Sequence, residues 1–450
     1  MLARLRDAFA HTEHKVTIDE AEAALRAVAS ARGTAEIAVP ADPADVEAVA
    51  LQQHAFMPRS PVVSLLQSVL EEQIEKRFGD RVVRRTRIDP AAPAPAATRV
   101  LLRPDGSEPD QEAMGNPFTL LDPSWAIVVA EALVQRLLRG RHPFNPCPAP
   151  PVEIASNARL VVFSDWGSGI ERAQRVTQHA REWLLEAKAS GRDAHAVHLG
   201  DVYYAGERRE YDNHVLAPGM WPVEPEEADE IGSWSLCGNH DMYSGAWAYF
   251  DHLLADRRFA RQRSEDRKPT SWFELVGPVW RVFGLDTAWN GPVLMHGQWG
   301  DLEPPQGAHV AAAAAEDDGR KILLLSHHQL FSAYDPNGVG PTIERELHPA
   351  LATGRVRAWF WGHEHRCMAF APHEQLEFGR CIGHGGVPVT AHAESAPIPP
   401  PVTWEYKGQF ESSGYSWARF GFVVLDFAGA TVRVTYVDES GDVSHTEDLV

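Results

Sequence analysis

Cysteine is scarce in this chain of 450 residues. Its four cysteines, Cys147, Cys237, Cys367 and Cys381, fall at no paired or zinc-ribbon spacing. A disulfide framework and a structural zinc finger are thereby excluded, and reduced thiols of a cytoplasmic protein are expected. Long apolar runs are missing too: no stretch approaches 18 uncharged apolar residues, so membrane insertion is not expected. The opening MLARLRDAFAHTEHK has neither an apolar centre nor a small-residue cleavage site, so no secretory leader is expected. Positive charge is in short supply. Lys and Arg total 42 against 62 Asp and Glu, a net charge of −20. A bare nucleic-acid duplex needs a basic footprint, which the chain as a whole does not offer. One basic run, Lys76 and Arg77 with Arg81, Arg84, Arg85 and Arg87, reads best as a solvated helix end and strand face. The acidic shell would repel a phosphorylated substrate unless cationic charge is supplied inside a site.

What is present suffices for one large domain and a smaller one, with 44% hydrophobic residues. Amphipathic helical patterns at 18–31, 60–78 and 122–140 make residues 1–141 a mostly helical accessory region. The proline-rich HPFNPCPAPPVE, 142–153, reads as an interdomain linker, since proline disfavours helix interiors and central strands. From 154 to 450 the texture changes to an α/β core, the expected catalytic domain. Five apolar runs, at 158–165, 194–201, 233–241, 321–328 and 357–365, alternate with helical segments at 170–190, 244–256 and 302–316. Strands this apolar are buried on both faces. Each run ends in Asp, Asn or His, and open α/β sheets place their sites at the carboxyl ends of such strands.

Singly, each polar ending has a plain explanation. Asp165 could cap a helix, Gly200-Asp201 could close a turn, and the histidines could lie at the surface. Together they form a mixed set of carboxylate, amide and imidazole donors, which suits Fe, Mn, Zn or Co. Two such cations clamp both oxygens of an in-line phosphoryl displacement and restore the positive charge that the shell lacks.

In its motifs SDWGSG, GDVYY, GNHD, SHH and GHEH the chain resembles the calcineurin-like metallophosphoesterases, and within them the purple acid phosphatase branch. The resemblance covers roughly 155–390. It implies a four-layer α/β/β/α sandwich and a metal set of Asp165, Asp201, Tyr204, Asn239, His327, His363 and His365. Gly167 stands where the wider family has a ligand histidine, as in that branch. Alternation alone leaves Tyr203 and Tyr204 open, and the family spacing picks Tyr204. Gln329 replaces a usual proline, and a single residue, Ala205, separates Tyr204 from Gly206.

The resemblance implies a dinuclear phosphoesterase in which hydroxide generated between the cations attacks phosphorus, a phosphomonoesterase before a phosphodiesterase acting on a cyclic nucleotide or phospholipid head group. A non-catalytic scaffold on the same fold is the third reading. His240 follows Asn239 and is the candidate for charge stabilisation or leaving-group protonation. Asp241 either orients His240 or caps the segment that follows. His384, in the glycine loop CIGHGG, and His328 are candidate substrate contacts. A phenolate ligand calls for a strongly acidic cation, so Fe(III) beside a divalent Fe, Zn or Mn is the expected pair.

Overall fold

The computed structural model describes residues 140–203, 205–291, 300–333, 341–373, 375–389, 401–412 and 415–450. The helical patterns expected before Gly140 and the basic run lie outside the described residues.

Two sheets face each other. The first has eight strands in the order β1 (Val152–Glu153), β5 (Phe273–Val276), β6 (Trp280–Leu285), β7 (Lys321–Ser326), β8 (Val356–Trp361), β10 (Phe378–Ile382), β9 (Cys367–Phe370) and β11 (Val402–Glu405). The second has six, in the order β16 (Val443–Leu449), β15 (Thr431–Asp438), β14 (Gly421–Ala428), β2 (Arg159–Phe163), β3 (Ala194–His198) and β4 (Ile231–Ser235). A hairpin of β12 (Gln409–Ser412) and β13 (Tyr415–Ala418) stands apart. The helices are α1 (Glu171–Ala189), α2 (Arg208–Tyr211), α3 (Asn239–Tyr243), α4 (Trp247–Asp251), α5 (Pro304–Ala315) and α6 (Pro341–Leu351).

Period-two alternation sorts the strand side chains into layers. Leu160 and Val162 of β2, with Leu323 and Leu325 of β7, fill the space between the sheets. Val161 and Phe163 turn outward onto Ala173, Val176, Ala180 and Leu184, a three-to-four spaced stripe on α1. Ile322 and Leu324 turn the other way, onto Val310 of α5 and Ile343 and Leu347 of α6. The result is a four-layer α/β/β/α sandwich. No helix among the described residues is long and apolar enough to cross a membrane.

Strands β2, β3 and β4 run parallel, as do β6, β7 and β8. Asp165, Asp201, Asn239, His327, His363 and His365 follow the carboxyl ends of β2, β3, β4, β7 and β8, drawn from both sheets.

The segment 142–153 is not an open linker. Its proline residues exclude helix, but its carbonyls and amides bind the core. Trp289 Nε1 donates to His142 O at 2.7 Å, Trp272 Nε1 to Asn145 O at 3.0 Å, and Thr270 Oγ1 to Cys147 O at 2.9 Å. Ala149 is fully buried, and β1 pairs with β5. It is a strap on the catalytic core.

Candidate metal centre

Four residues at the strand ends adopt left-handed backbone: Asp165 (φ 54°), Asp201 (φ 74°), His363 (φ 65°) and His365 (φ 49°). Such conformations cost a non-glycine residue about 1–3 kcal/mol and persist where the surroundings over-determine them, commonly at functional sites. Here the surroundings are specific. Asp165 accepts from the His363 backbone N–H at 2.8 Å and from Ser164 Oγ at 2.7 Å. Asp201 accepts from the His240 N–H at 2.9 Å. Glycine makes the close approach possible: a Cβ on Gly238 would lie 2.1 Å from Asp201 Oδ1.

The donors gather in two clusters. In the first, ligating atoms of Asp165, Asp201 and His365 lie within 4.8 Å of one another. The hydroxyl of Tyr203 stands among them, 3.1 Å from Asp165 Oδ1, 3.0 Å from Asp201 Oδ2 and 3.2 Å from His365 Nε2. Tyr203, one residue before the position the family spacing picks, thus brings a phenol to the site; Tyr204 lies outside the described residues. In the second cluster are His327, His328 and His363. Asn239 Oδ1 is 3.0 Å from His327 Nε2, and Asp201 Oδ2 is 3.4 Å from the same nitrogen. Asp201 therefore reaches both clusters.

The electrostatics follow from packing charges together without water. Burial pushes the Asp201 carboxyl up, but the neighbouring His327 and His240 outweigh it and hold Asp201 well below the ordinary carboxylate range. Asp165 is lowered likewise against burial, by its bond to His365 and the charge of His327. His327 resists burial because Asp201 is beside it, and is raised to about 9. Its Nδ1 donates to Leu199 O at 3.1 Å, which leaves Nε2 directed into the site. Burial, then the charge on His327, lowers His363 to about 3. Burial and the two carboxylates raise the Tyr203 phenol well above its ordinary value.

His240 is buried, with its Nε2 4.0 Å from Asp201 Oδ2 and its ring between Tyr203 and Tyr243, at centroid distances of 4.4 and 4.6 Å. Asp241 is engaged elsewhere. It accepts from the N–H groups of Gly238 (2.7 Å), Asp201 (3.0 Å) and Val202 (3.2 Å), and from the Tyr211 hydroxyl. These bonds make Asp241 a helix cap and a clamp between the two loops, the structural alternative of its two readings. Burial, then the charge of Asp201, raises it to about 7. His328 is tied to Thr287, whose Oγ1 lies 3.1 Å from Nδ1 and 3.0 Å from the backbone nitrogen. That histidine therefore sits among the donors of the second cluster. His384 is buried; its ring lies 6.0 Å from that of Tyr406 and presses on Gly421, whose Cβ would lie 2.6 Å from His384 Nε2.

One residue has no signal in the sequence. His214 sits on an irregular turn after α2, and its Nδ1 lies 3.2 Å from Gly167 O and 3.0 Å from Tyr203 O. Two carbonyls can only accept, so this nitrogen carries the proton and pins the loops behind Asp165 and Asp201 together. Nothing in a lone histidine 13 residues past Asp201 announces that contact.

The donor set fits a pair of transition-metal cations: carboxylate, imidazole and amide donors, converging and buried, with ring nitrogens oriented from behind. Residues 158–367 match the family model of the calcineurin-like phosphoesterases. All five site-bearing strands lie within the match. This part of the chain is a calcineurin-like metallophosphoesterase domain, and the protein is by class a metal-dependent phosphoric ester hydrolase. Among solved structures it is similar to GAP50, the anchor in the inner membrane complex of Plasmodium (13% identity, TM-score 0.43, 65% of this chain and 88% of that one). It is also similar to a dimetal phosphatase from Danio rerio (14%, 0.41, 67% and 99%) and to a 5'-nucleotidase from Candida albicans (11%, 0.32, 53% and 48%). No curated protein matches the sequence.

Proposed function

We propose that the chain is a dinuclear phosphomonoesterase of the purple acid phosphatase-like kind. The observation that carries this reading is the position of Asp201 Oδ2, 3.0 Å from the Tyr203 hydroxyl in one cluster and 3.4 Å from His327 Nε2 in the other. A single carboxylate so placed would serve two cation sites. Asp165, Asp201, Tyr203 and His365 would hold one cation, taken to be Fe(III). Asp201, Asn239, His327 and His363 would hold a divalent partner, with His328 beside them. Bound there, the pair supplies Lewis acidity to a phosphoryl oxygen and an acidified water.

The chain's own groups complete the chemistry. Asn239 Nδ2 donates to the Tyr243 hydroxyl at 3.2 Å, which turns its Oδ1 toward His327. His240, held between two phenol rings beside Asp201, is placed to carry positive charge toward phosphoryl oxygens or to pass a proton to the leaving group. The donors are sunk below the surface, with Asp165, Asp201 and His327 1% exposed or less. A terminal phosphoryl group on a narrow stem suits such a site better than a diester flanked on both sides. Cytosolic action is supported by the four free cysteines, three of them buried.

The test is metal analysis of protein grown with ample iron, zinc and manganese, with rates on aryl phosphate mono- and diesters from the same sample. Close to two ions per chain and a preference for the monoester are expected. Fewer than one tightly held ion after reconstitution would overturn the dinuclear site. Faster diester cleavage would reassign the substrate.

A further inference from the structure

The strap has a specific relation to one of the two clusters. Gly140 O accepts from Trp247 Nε1 at 2.9 Å, and the His142 N–H donates to Gly245 O at 2.9 Å. The His142 ring stacks on Phe250 of α4, with centroids 4.3 Å apart. On its other side, His142 O takes the Trp289 Nε1 proton at 2.7 Å. Arg141 Nη1 donates to Trp289 O at 3.2 Å and to Asn290 Oδ1 at 2.9 Å. Residues 140–142 therefore stitch the turn at 244–247 to the loop at 286–290.

Each of those loops leads to a donor. The turn at 244–247 follows α3 directly, and α3 begins with Asn239, whose amide is oriented by Tyr243 at its other end. The loop at 286–290 contains Thr287, which holds both the backbone and the ring of His328. Asp286 fixes the loop by accepting from the Ala288 and Trp289 N–H groups, each at 2.9 Å. Asn239 and His328 belong with His327 and His363. Asp165, Tyr203 and His365 are anchored instead by Ser164, His214 and the β8 loop, and α3 reaches their cluster through Asp201, by the His240 N–H and Asp241.

We infer that residues 140–142, acting through Trp247 and Trp289, are a positioning element for the His327–His328–His363 cluster more than for the Asp165–Asp201–His365 cluster. The inference rests on the dinuclear reading above. Partners behind a metal ligand typically contribute about 10–100-fold to metal affinity. Loosening the strap should fall more heavily on one cation than on the other.

The experiment uses the full chain, stripped of metal and titrated with Co(II) alone, followed by calorimetry and visible absorption. Wild type should take up two ions in separable steps, and His327→Ala identifies the step that belongs to the second cluster. Trp289→Phe and Trp247→Phe keep an aromatic ring while removing the N–H together with part of the ring. Each should weaken that step by about 10–100-fold and the other by much less. Arg141→Gln, a change near the surface, should weaken the same step the more and serves if the tryptophan variants do not fold. Equal weakening of both steps, or an unchanged second step, would overturn the inference. A wild type that takes up fewer than two ions would overturn the dinuclear reading and this inference with it.

Discussion

A buried phenol wedged between two carboxylates keeps its proton until something strongly acidic removes it. Tyr203 is in that position, raised well above its ordinary value by burial and by Asp165 and Asp201. Ferric iron ionises such a phenol better than zinc or manganous ions do, and a ferric phenolate absorbs visible light. Iron-loaded protein is therefore expected to show a visible band that vanishes in Tyr203→Phe and survives in Tyr204→Phe. A band lost only in Tyr204→Phe would return the role to the residue the family spacing picks. Sequence could not choose between them because both lie beyond the strand, where alternation stops deciding direction. Tertiary contacts bring Tyr203 to the carboxylates. Val202 bridges to Gly167, the Tyr203 N–H donates to Gly167 O at 2.9 Å, and the ring packs on Val387 and Val389. The carboxylates and histidines were far more legible, since each ends an apolar run in a recognisable motif.

At the scale of elements, the loops behind the site store their own pH dependence. Burial pushes the Asp286 carboxyl up to about 6, against an ordinary value near 4. The folded chain then holds a proton that the unfolded chain releases. This contribution to stability is whole below about pH 4 and is lost as pH rises through about 6. Asp286→Asn keeps an oxygen for the Ala288 and Trp289 N–H groups and can donate to Ser271, reversing a bond that now runs from Ser271 to Asp286. Melting of metal-free protein between pH 4 and 7 should show a smaller decline for the variant than for wild type. Parallel curves would refute it. The five site-bearing strands could be read because burial on both faces makes them mainly apolar and each ends in a recognisable motif. Strands β1, β5, β9 and β11 are two to four residues long, too short for a period to mark them. The packing of the strap carries no sequence signal for a related reason: proline excludes helix and central strand, yet leaves carbonyls free to accept from Trp272 and Trp289.

For the whole molecule the strap moves the boundary of the catalytic unit toward the amino terminus. A chain beginning at residue 154 loses β1 and every strap bond, each worth about 0.5–1.5 kcal/mol, whereas one beginning at 140 keeps them. The shorter chain should melt at least about 5 °C below the longer one, and equal melting would return 142–153 to the status of a linker. The left-handed backbone at Asp165, Asp201, His363 and His365 has a consequence of another kind. Of the six described non-glycine residues with positive φ, these four carry the site. Glycine at any of them would ease the backbone. Selection for a robust fold and selection for a working centre therefore pull these positions in opposite directions. The geometry that awaits the cations is assembled in advance, at the expense of the chain that bears it.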